Sequence, residues 1–429
     1  MKKTGTIASC LVFFCVLTFL PLSSLAYNPS KLKGTIDDEV IHLLKNLPPD
    51  ESYPDASVIM IMDEKVDEVQ ADGTRRSTLH EVFKVLTDEG KGYAHVEIGY
   101  NAHREEVSVE YARIITPWGK VVPLSDAAVR VSTPYGNYPS YSNYRVLTFS
   151  FPEVLIGSVI DYQIVVEERR PAMAGTYASR FYFQGYEPTI ISRFTVITPE
   201  NMDLQYSLRN PLAETKPDPQ ISRKHGKKIF LWEYRDIPRI VPEYNMPPLA
   251  EIACNVRVTT MSSWKEFFSW WNKLKDRKTE ANDAIRNKVA ALTAGLFTPE
   301  EKAAAIFSYV EQKIRYVAIN LGQSAYEPAA ARVVFANKYG DCKDKSTLLI
   351  SMLEAAGVPA SYVLIPTRDR EKMTQDFPYP FQFNHCIVAI EGTLGYHFLD
   401  PAGETYPFGY LPNEDQDRDC LLLEGSKGI

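Results

Sequence analysis

A change of periodicity near residues 237–251 most constrains how this chain can fold. Before it, across residues 57–230, apolar and polar residues alternate in short runs separated by turn residues such as Asp72-Gly73. A period of two is typical of antiparallel strands with one buried face. After it, apolar residues recur with a period near 3.6, which is typical of helices. The sequence therefore predicts an α+β protein in which an antiparallel β-rich sheet or sandwich precedes a partly helical region.

The length of 429 residues suggests two or three domains, since a domain usually holds about 100–200 residues. Hydrophobic residues make up 45% of the chain and charged residues 24%, which excludes disordered, collagen-like and coiled-coil classes. Thr298 and Glu301 form a predicted capping box at a helix start. We assign four segments after an N-terminal leader: a linker at 27–50, a β-rich domain of unknown function at 51–245, a helical connector at 246–297 and a second domain at 298–429.

The first 26 residues predict an export signal. Lys2 and Lys3 precede an apolar run at residues 11–20, and residues 24–26 place small side chains where a signal peptidase cleaves. A membrane anchor is the alternative, but the apolar run is shorter than the roughly 20 residues that a spanning helix needs, and Pro21 ends it. We therefore expect a periplasmic or secreted protein without a membrane span after cleavage.

Charge and cysteine content exclude two further classes. The chain has 47 basic and 54 acidic residues, a net charge of −7, and no long basic run, so it lacks the phosphate-neutralising charge of a nucleic-acid binder. Two of its six cysteines fall in the predicted signal, which leaves too few for a disulfide scaffold. The remaining cysteines are Cys254, Cys342, Cys386 and Cys420.

A tyrosine-rich segment at residues 134–144 allows two interpretations. Its proline, glycine, serine and asparagine content argues against a helix. The spaced rings could form an aromatic platform for a sugar or peptide, or a long loop could pack them against the sheet, which we favour. The tyrosines are Tyr135, Tyr138, Tyr141 and Tyr144.

Cys342 lies in the segment with the strongest chemical pattern, Tyr-Gly-Asp-Cys-Lys-Asp-Lys-Ser at residues 339–346. Apolar residues at 348, 349, 352, 353 and 356 predict a following helix with a broad buried face. A helix start favours a thiolate through its dipole and free N–H groups, and Lys343 and Lys345 add positive charge. We therefore interpret Cys342 as a nucleophile, although a small buried residue is the alternative for an isolated cysteine.

A cysteine nucleophile needs a base and a group that orients the base. His385 begins one predicted strand and Asp400 ends the next, so antiparallel pairing should bring their side chains together. Asp344 is a second candidate for orienting the base, but its place beside the nucleophile suits helix capping better. The backbone N–H of Cys342 is the natural oxyanion donor, with the Gln323 side chain as a weaker second candidate.

A metal site is the competing interpretation of the same region. Strand alternation directs His385 and Cys386 to opposite faces, and likewise His397 and Asp400, so no more than two of these ligands readily converge. We therefore predict neither a metal nor an organic cofactor. Cys386 is expected in the core, on the strand face away from the site.

Three separated motifs resemble the transglutaminase-like superfamily. They are residues 340–345 before a buried helix, residues 384–385, and residues 399–401, and the resemblance covers about residues 298–410. More narrowly, the chain resembles exported bacterial proteins in which a papain-like core follows an N-terminal β domain of unknown function. The resemblance implies a papain-like transglutaminase core at residues 298–429. It assigns one role to each of three residues, with Cys342 as nucleophile, His385 as base and Asp400 as orienter.

The resemblance and the residues together imply a cysteine peptidase, amidase or acyltransferase. The thiolate would attack an amide of a protein, peptide or cell-envelope substrate and form a thioester. Hydrolysis is expected over crosslinking, because water is the more available acceptor outside the cell. The alternative is a non-catalytic protein that binds or scaffolds cell-envelope polysaccharide or protein through an inactive core.

The first prediction concerns the N-terminus of the mature protein. Because small residues at 24–26 follow the apolar run, protein recovered from expressing cells should begin at Tyr27. N-terminal sequencing or intact-mass measurement would check this. A membrane-bound product that still contained residues 11–20 would instead identify an anchor.

Overall fold

The structure is a computed structural model. It describes residues 36–133, 143–212, 218–317, 326–392, 395–403, 406–424 and 427–428. The predicted signal at 1–26, three of the four spaced tyrosines (Tyr135, Tyr138 and Tyr141) and Gln323 lie outside the described residues. Over the part of the chain that is described, no helix is long and apolar enough to cross a membrane.

The described α-helices occur mainly after residue 248. They are α1 (Asp38–Lys45), α2 (Leu249–Ile252), α3 (Trp264–Lys275), α4 (Asp283–Thr293), α5 (Pro299–Lys313), α6 (Ala331–Asn337) and α7 (Cys342–Ala355). The capping box that the sequence predicts at α5 is present, since the Thr298 side chain accepts from Glu301 N and the Glu301 side chain accepts from Thr298 N. The predicted helix starts at Thr298 and at Cys342 are therefore confirmed.

Strands make up most of the region before residue 240. They are β1 (Val58–Val69), β2 (Arg75–Val85), β3 (His95–Asn101), β4 (Glu105–Ile115), β5 (Val121–Pro123), β6 (Arg130–Ser132), β7 (Tyr144–Ser150), β8 (Val159–Glu168), β9 (Ala178–Tyr182), β10 (Thr189–Pro199), β11 (Gln205–Arg209), β12 (Gln220–Lys224) and β13 (Lys227–Ile237). Strands of the later region are β14 (Asn255–Thr259), β15 (Arg315–Tyr316), β16 (Tyr339–Gly340), β17 (Ala360–Ile365), β18 (His385–Gly392), β19 (Gly395–Leu399), β20 (Leu421–Glu424) and β21 (Lys427–Gly428).

An eight-stranded sheet organises the N-terminal region, in the order β12-β13-β10-β1-β2-β8-β4-β5. Neighbouring strands are antiparallel except β1 and β10, which pair in parallel. The predicted turn at Asp72-Gly73 joins β1 to β2; Gly73 has φ +84°, and a Cβ there would lie 2.7 Å from Thr176 N. The predicted β-rich domain is confirmed, and the parallel β1–β10 pair is an addition that alternation alone could not indicate.

Two small sheets pack against the large one. Sheet β3-β7-β6 places Phe149 edge-on to Tyr162 of β8, with ring centroids 5.6 Å apart. Sheet β11-β14-β9 stacks Phe181 on Phe194 of β10, with centroids 5.3 Å apart. Such aromatic pairs add about 0.5–1.5 kcal/mol beyond the burial of their surface. These contacts give the domain its layered, sandwich-like core.

The expected helical connector at 246–297 also contains a strand. It holds α2, α3 and α4, but β14 pairs along its length with β9 and β11 of the N-terminal region. Every residue of β14 is buried, including Asn255, Arg257 and Thr259. Its sequence, Asn-Val-Arg-Val-Thr, alternates polar and apolar residues, but the run is only five residues long and helical patterns follow it, so the sequence favours a helical connector.

The second region is an α+β core built around α7. Its sheet has the order β19-β18-β17-β20-β21. Helix α7 packs against β17 and β18, and α5 and α6 pack against α7. Four of the five apolar residues predicted to form its buried face, Leu348, Leu349, Met352 and Leu353, are fully buried, and Ala356 is half-buried.

Helix α7 is also buried on its polar side, which the sequence does not predict. Ser346 Oγ donates to Cys386 O at 3.0 Å, and Thr347 Oγ1 lies 2.8 Å from the Tyr362 hydroxyl. Lys345 Nζ donates to Ile314 O at 2.7 Å, at the end of α5. Because buried polar groups need partners, these contacts fix α7 against the sheet and against α5.

An ion-pair clamp connects the two regions. Glu371 lies in the segment 366–384 between β17 and β18, which we call the β17–β18 loop. Its carboxylate pairs with Arg180 of β9 and, at 3.2 Å, with Arg257 of β14. Arg257 Nη1 and Nη2 also donate to Thr374 Oγ1 at 3.3 Å. Both Arg257 and Glu371 are buried, so the clamp is shielded from solvent.

Apolar contacts reinforce the same clamp. Phe377 and Tyr379 of the β17–β18 loop form a buried cluster with Ala178 of β9. Trp264 Nε1 donates to Gln375 O at 2.7 Å. The N-terminal region therefore holds the loop that leads directly into His385.

Removing one partner of this buried clamp should destabilise the protein. Glu371→Ala leaves two arginines without their carboxylate, a change that costs about 3–5 kcal/mol for buried pairs. The control is Glu167→Ala, because Glu167 pairs with Arg76 at 3.5 Å with both side chains exposed, and exposed pairs contribute about 0–1 kcal/mol. Urea unfolding of both variants would measure the difference. Equal losses would contradict the buried clamp.

Candidate active site

The first turn of α7 positions Cys342. Asp341 is the N-cap, and its Oδ1 accepts from Asp344 N at 3.1 Å, while Asp344 Oδ2 accepts from Asp341 N at 3.4 Å. Gly340 precedes this capping box, and a Cβ there would lie 2.6 Å from Asp344 Cβ. The Gly-Asp-Cys-Lys-Asp pattern thus has a local structural reason, and it places Cys342 at the first helical position, where the backbone N–H has no intrahelical partner.

Asp344 stabilises the helix start and does not contact the histidine. Its Oδ1 accepts from Ala329 N at 2.7 Å, in addition to the capping bond from Asp341. Both carboxylate oxygens are therefore engaged by backbone N–H groups. The alternative that Asp344 orients the base is wrong, and its capping role is the one observed.

The two neighbouring lysines have different partners. Lys343 forms a buried ion pair with Asp341. Burial lowers the pKa of Lys343, but the negative charges of Asp341 and Asp344 outweigh it, so the net shift is upward. Lys345 instead reaches the carbonyls at the end of α5. Positive charge beside the thiol is thus supplied by Lys343, whereas Lys345 holds two helices together.

His385 and Asp400 meet as the strand pattern predicts. His385 is the first residue of β18, Asp400 follows β19, and the two strands are antiparallel with Val388 opposite Leu399. His385 Nε2 lies 3.2 Å from Asp400 Oδ2. Asp400 Oδ1 accepts from Ala402 N at 2.8 Å, which fixes the carboxylate.

The imidazole connects the carboxylate to the thiol. Burial lowers the pKa of His385, but hydrogen bonds to Asp400 and to Cys342, together with their charges, raise it well above 6.5. Nε2 faces Asp400, and the same ring interacts with the Cys342 side chain. The structure therefore brings all three predicted site residues together. Their catalytic roles stay a prediction.

A second carboxylate, which sequence analysis missed, also faces His385. Asp415 Oδ2 lies 3.8 Å from His385 Nε2, and the Asp415 side chain is 2% exposed. Burial, the nearby Asp400 charge and a hydrogen bond to Asp400 raise the pKa of Asp415 to about 7, against an opposing effect of His385. In the sequence, Asp415 belongs to the acidic run 414–417, which resembles an ordinary solvated loop.

Tyr316 is another site residue without a sequence signature. Strand β15 pairs in parallel with β16, opposite Gly340, and so brings Tyr316 beside α7. Burial raises the pKa of Tyr316, as do the neighbouring Cys342, Asp341, Asp400 and Asp415. The phenol therefore stays neutral and can donate a hydrogen bond.

A cavity of about 170 Å³ opens beside the thiol. Phe267 and Trp271 of α3 are buried and form part of its wall. The complete lining is Phe267, Trp271, Tyr326, Cys342, Lys343, Leu364, Arg370, Pro380, Phe383, Asn384, His385 and Cys386. A larger cavity of about 300 Å³, at residues 52–56, 188–189 and 236–239, shares no lining residue with it.

The expectation for Cys386 is confirmed for its place in the core and wrong for its position away from the site. Cys386 is buried, but it lines the same cavity as Cys342 and His385. Cys386 and Val388 of β18 share a core cluster with Leu348 of α7, so this face of the strand packs against the helix that carries Cys342. Burial raises the pKa of Cys386 well above 9.0, and the Cys342 charge acts in the same direction. Cys386 is thus a poor competing nucleophile.

The ligand-type side chains that cluster in the structure are not the four that were weighed as metal ligands from the sequence. His397 is exposed, and within the described part of the chain one group of ligand-type atoms lies within 4.8 Å, formed by His385, Asp400 and Asp415. These three groups already interact with one another through the imidazole nitrogen. The four described cysteines are free.

Two family models match the sequence. Residues 71–241 match a domain of unknown function with a solved structure (DUF3857), and residues 286–399 match the transglutaminase-like superfamily. The second match includes Cys342 and His385 and ends one residue before Asp400. No curated protein matches at a significant level.

Solved structures provide a likeness of fold. A "putative protease" from Parabacteroides distasonis superposes with a TM-score of 0.73 at 17% identity, over 87% of this chain and 71% of that chain. Because the identity is low, this likeness shows a shared fold alone. A "putative cysteine protease" from Cytophaga hutchinsonii covers 77% of each chain at 10% identity, but its TM-score of 0.24 supports no conclusion.

Replacing Asp400 should change the titration of His385. In Asp400→Asn the main cause that raises the His385 pKa is lost and burial remains, so NMR should find the imidazole titrating at lower pH. A raised folded-state pKa stabilises the protein fully below the unfolded value of about 6.5, and this stability is lost as pH rises through the folded pKa. The difference in thermal midpoint between the two proteins should therefore be larger near about pH 6 than at high pH.

The matched control for this titration is Asp344→Asn. It alters a carboxylate of the same helix start that does not contact His385. If Asp344→Asn shifted the His385 titration and Asp400→Asn did not, the assignment of Asp400 would be wrong.

Proposed function

Residues 286–399 of the chain belong to the transglutaminase-like superfamily, and from this premise we propose an exported cysteine enzyme that transfers the acyl group of an amide. One observation carries the proposal, namely the contact of Cys342 with His385 and of His385 with Asp400 beside a cavity. A helix-start cysteine that contacts a histidine held by a carboxylate is the arrangement that nucleophilic catalysis requires.

The proposed reaction has two steps. The Cys342 sulfur attacks the amide carbon, a C–S bond forms, and His385 takes the thiol proton. The C–N bond then breaks, and the protonated imidazole returns the proton to the leaving amine. Water, deprotonated by His385, hydrolyses the thioester to an acid and regenerates the thiol.

Several site features suit this chemistry. The unpaired N–H of Cys342 at the helix start is the candidate oxyanion donor. Lys343 supplies positive charge beside the thiol. The cavity is lined by aromatic and apolar side chains such as Phe267 and Phe383, and its wall also includes the polar or charged residues Asn384, Lys343 and Arg370. This composition supports a peptide or protein segment with an apolar side chain as the acyl donor.

Export and hydrolysis complete the proposal. Export rests on the N-terminal 26 residues, and hydrolysis rests on the abundance of water as acceptor. The likeness to a structure named as a protease agrees with a protein substrate. If the following experiment found the Cys342 thiol unreactive, it would favour the alternative of a non-catalytic scaffold protein.

Alkylation of the mature protein by iodoacetamide should label Cys342 first. Cys420 is the most exposed of the four described cysteines, whereas Cys342 is only 6% exposed. If exposure decided the rate of alkylation, Cys420 would react first. If the Cys342 thiol is activated, Cys342 should react at least about tenfold faster than Cys420. A tenfold difference in rate corresponds to about 1.4 kcal/mol in the barrier. Mass spectrometry of partly labelled protein measures both rates.

The control for this experiment is His385→Ala. Because this variant lacks the base, the labelling rate of Cys342 should fall to that of Cys420 or below it. The labelling rate of Cys420 should stay unchanged. Labelling that followed exposure in the unmodified protein would contradict the proposed enzyme. An acyl-enzyme trapped at Cys342 and absent from Cys342→Ala would then identify the substrate.

A further inference from the structure

We propose that Asp415 is a second positioning carboxylate of the active site, which shares one proton with Asp400 and controls how strongly His385 holds its own proton. The proposal goes one residue beyond the proposed triad and depends on His385 acting as the base of that site. Its geometric basis is that one imidazole nitrogen faces two buried carboxylates, at 3.2 Å from Asp400 and 3.8 Å from Asp415.

The short turn that carries Asp415 buries this side chain and leaves its two neighbours in the turn exposed. Asp415 N donates to Pro412 O at 3.0 Å, which closes the short turn Asn413–Asp415. Glu414 O accepts from Arg368 N at 2.9 Å, so the turn is attached to the β17–β18 loop. Asn413 and Glu414 are exposed while Asp415 is buried. The turn therefore separates one inward carboxyl from its outward neighbours.

The two carboxyl groups need a shared proton. No donor of the described residues reaches Asp415 Oδ2 within hydrogen-bond distance. An oxygen of the Asp400 carboxylate lies within 4.8 Å of the Asp415 carboxylate, and the imidazole nitrogen lies at 3.8 Å. Two buried carboxylates can hydrogen-bond only if one of them keeps its proton. A neutral Asp415 that donates to Asp400 satisfies both groups, and the raised pKa of about 7 for Asp415 agrees with this state.

The groups that face Asp415 come from several elements. They are His385 of β18, Asp400 after β19, Tyr316 of β15 and the neighbouring Glu414. Tyr316 stays neutral, because burial and the surrounding negative charges raise its pKa. The pKa of His385 lies well above 6.5. Near neutral pH, the change expected in this cluster is therefore the loss of the Asp415 proton.

Loss of that proton should alter the reactivity of the thiol. Above the pKa of Asp415, a second negative charge faces the imidazole and favours its protonated form. A protonated His385 pairs with the thiolate of Cys342, so alkylation of Cys342 should accelerate as pH rises through about 7. We expect a step of about tenfold, since a shift of one unit in a neighbouring pKa changes a protonation equilibrium tenfold.

The test compares full-length mature protein with Asp415→Asn, which keeps the shape and a hydrogen-bond donor but cannot ionise. The rate of iodoacetamide labelling at Cys342 is measured from roughly pH 5 to roughly pH 9, a range that spans the titration of imidazole groups. The step near pH 7 should be present in the unmodified protein and absent in Asp415→Asn. Glu414→Gln is the matched control on the same turn and should keep the step.

An NMR titration of His385 gives a second readout that needs no reactive thiol. The His385 resonances should show an inflection near pH 7 that Asp415→Asn removes and Glu414→Gln retains. Asp415→Ala serves the same purpose if the Asn variant fails to fold. This readout separates the two proposals: unreactive Cys342 with a normal NMR inflection would overturn the enzyme and support the carboxyl pair.

Three results would overturn the role of Asp415. One is a labelling profile and an NMR titration in Asp415→Asn that coincide with those of the unmodified protein. Another is an equal loss of the step in Glu414→Gln, which would indicate a general effect of the turn. The third is a step in the unmodified protein that disappears with EDTA and returns with zinc, which would show that the three side chains bind a metal.

Discussion

The structure depends on how the start of α7 is held inside the protein. Because the start of α7 is buried, the Asp341–Asp344 capping box satisfies the N–H groups of Asp344 and Asp341 internally, while the N–H of Cys342 takes no part in it. Lys345 then fixes the helix to the carbonyl end of α5, and Ser346 fixes it to β18. The thiol of Cys342 owes its position to these contacts, and any change in them would move it relative to His385.

Charge in the site is arranged so that each buried group has an opposite partner or keeps its proton. Lys343 faces Asp341, and His385 faces Asp400. Burial and the Asp400 charge raise the pKa of Asp415 to about 7, because a second buried carboxylate charge beside one imidazole would be costly. The net effect is to favour the protonated imidazole at neutral pH. An amide substrate would therefore meet a site in which the proton needed by its leaving amine is already present.

The sequence predicted those parts of the fold and site that have local signatures. Cys342 follows a recognisable helix cap, and His385 and Asp400 lie at the start and the end of two consecutive predicted strands joined by a short turn, so pairing could be inferred. Asp415 could not be predicted, because its burial results from a tertiary contact of a short acidic turn. The Arg257–Glu371 pair joins residues 114 apart in the chain, for which no local pattern exists. Strand β14 was missed because it is a single five-residue run next to helical patterns, and packing of α7 placed Cys386 beside the cavity.

The clamp between Glu371 and the strands β9 and β14 has a consequence for the order in which the protein forms. Domains generally fold as they are synthesised, from the N-terminus onward. Both arginines of the clamp precede the β17–β18 loop in the chain, so their strands can be in place before the loop is made. A growing chain that has completed α7 carries its cysteine without a base until His385 has been made, and without the carboxylates that face the base until Asp400 and Asp415 have followed. The site is thus completed after the strands that hold the β17–β18 loop have been made.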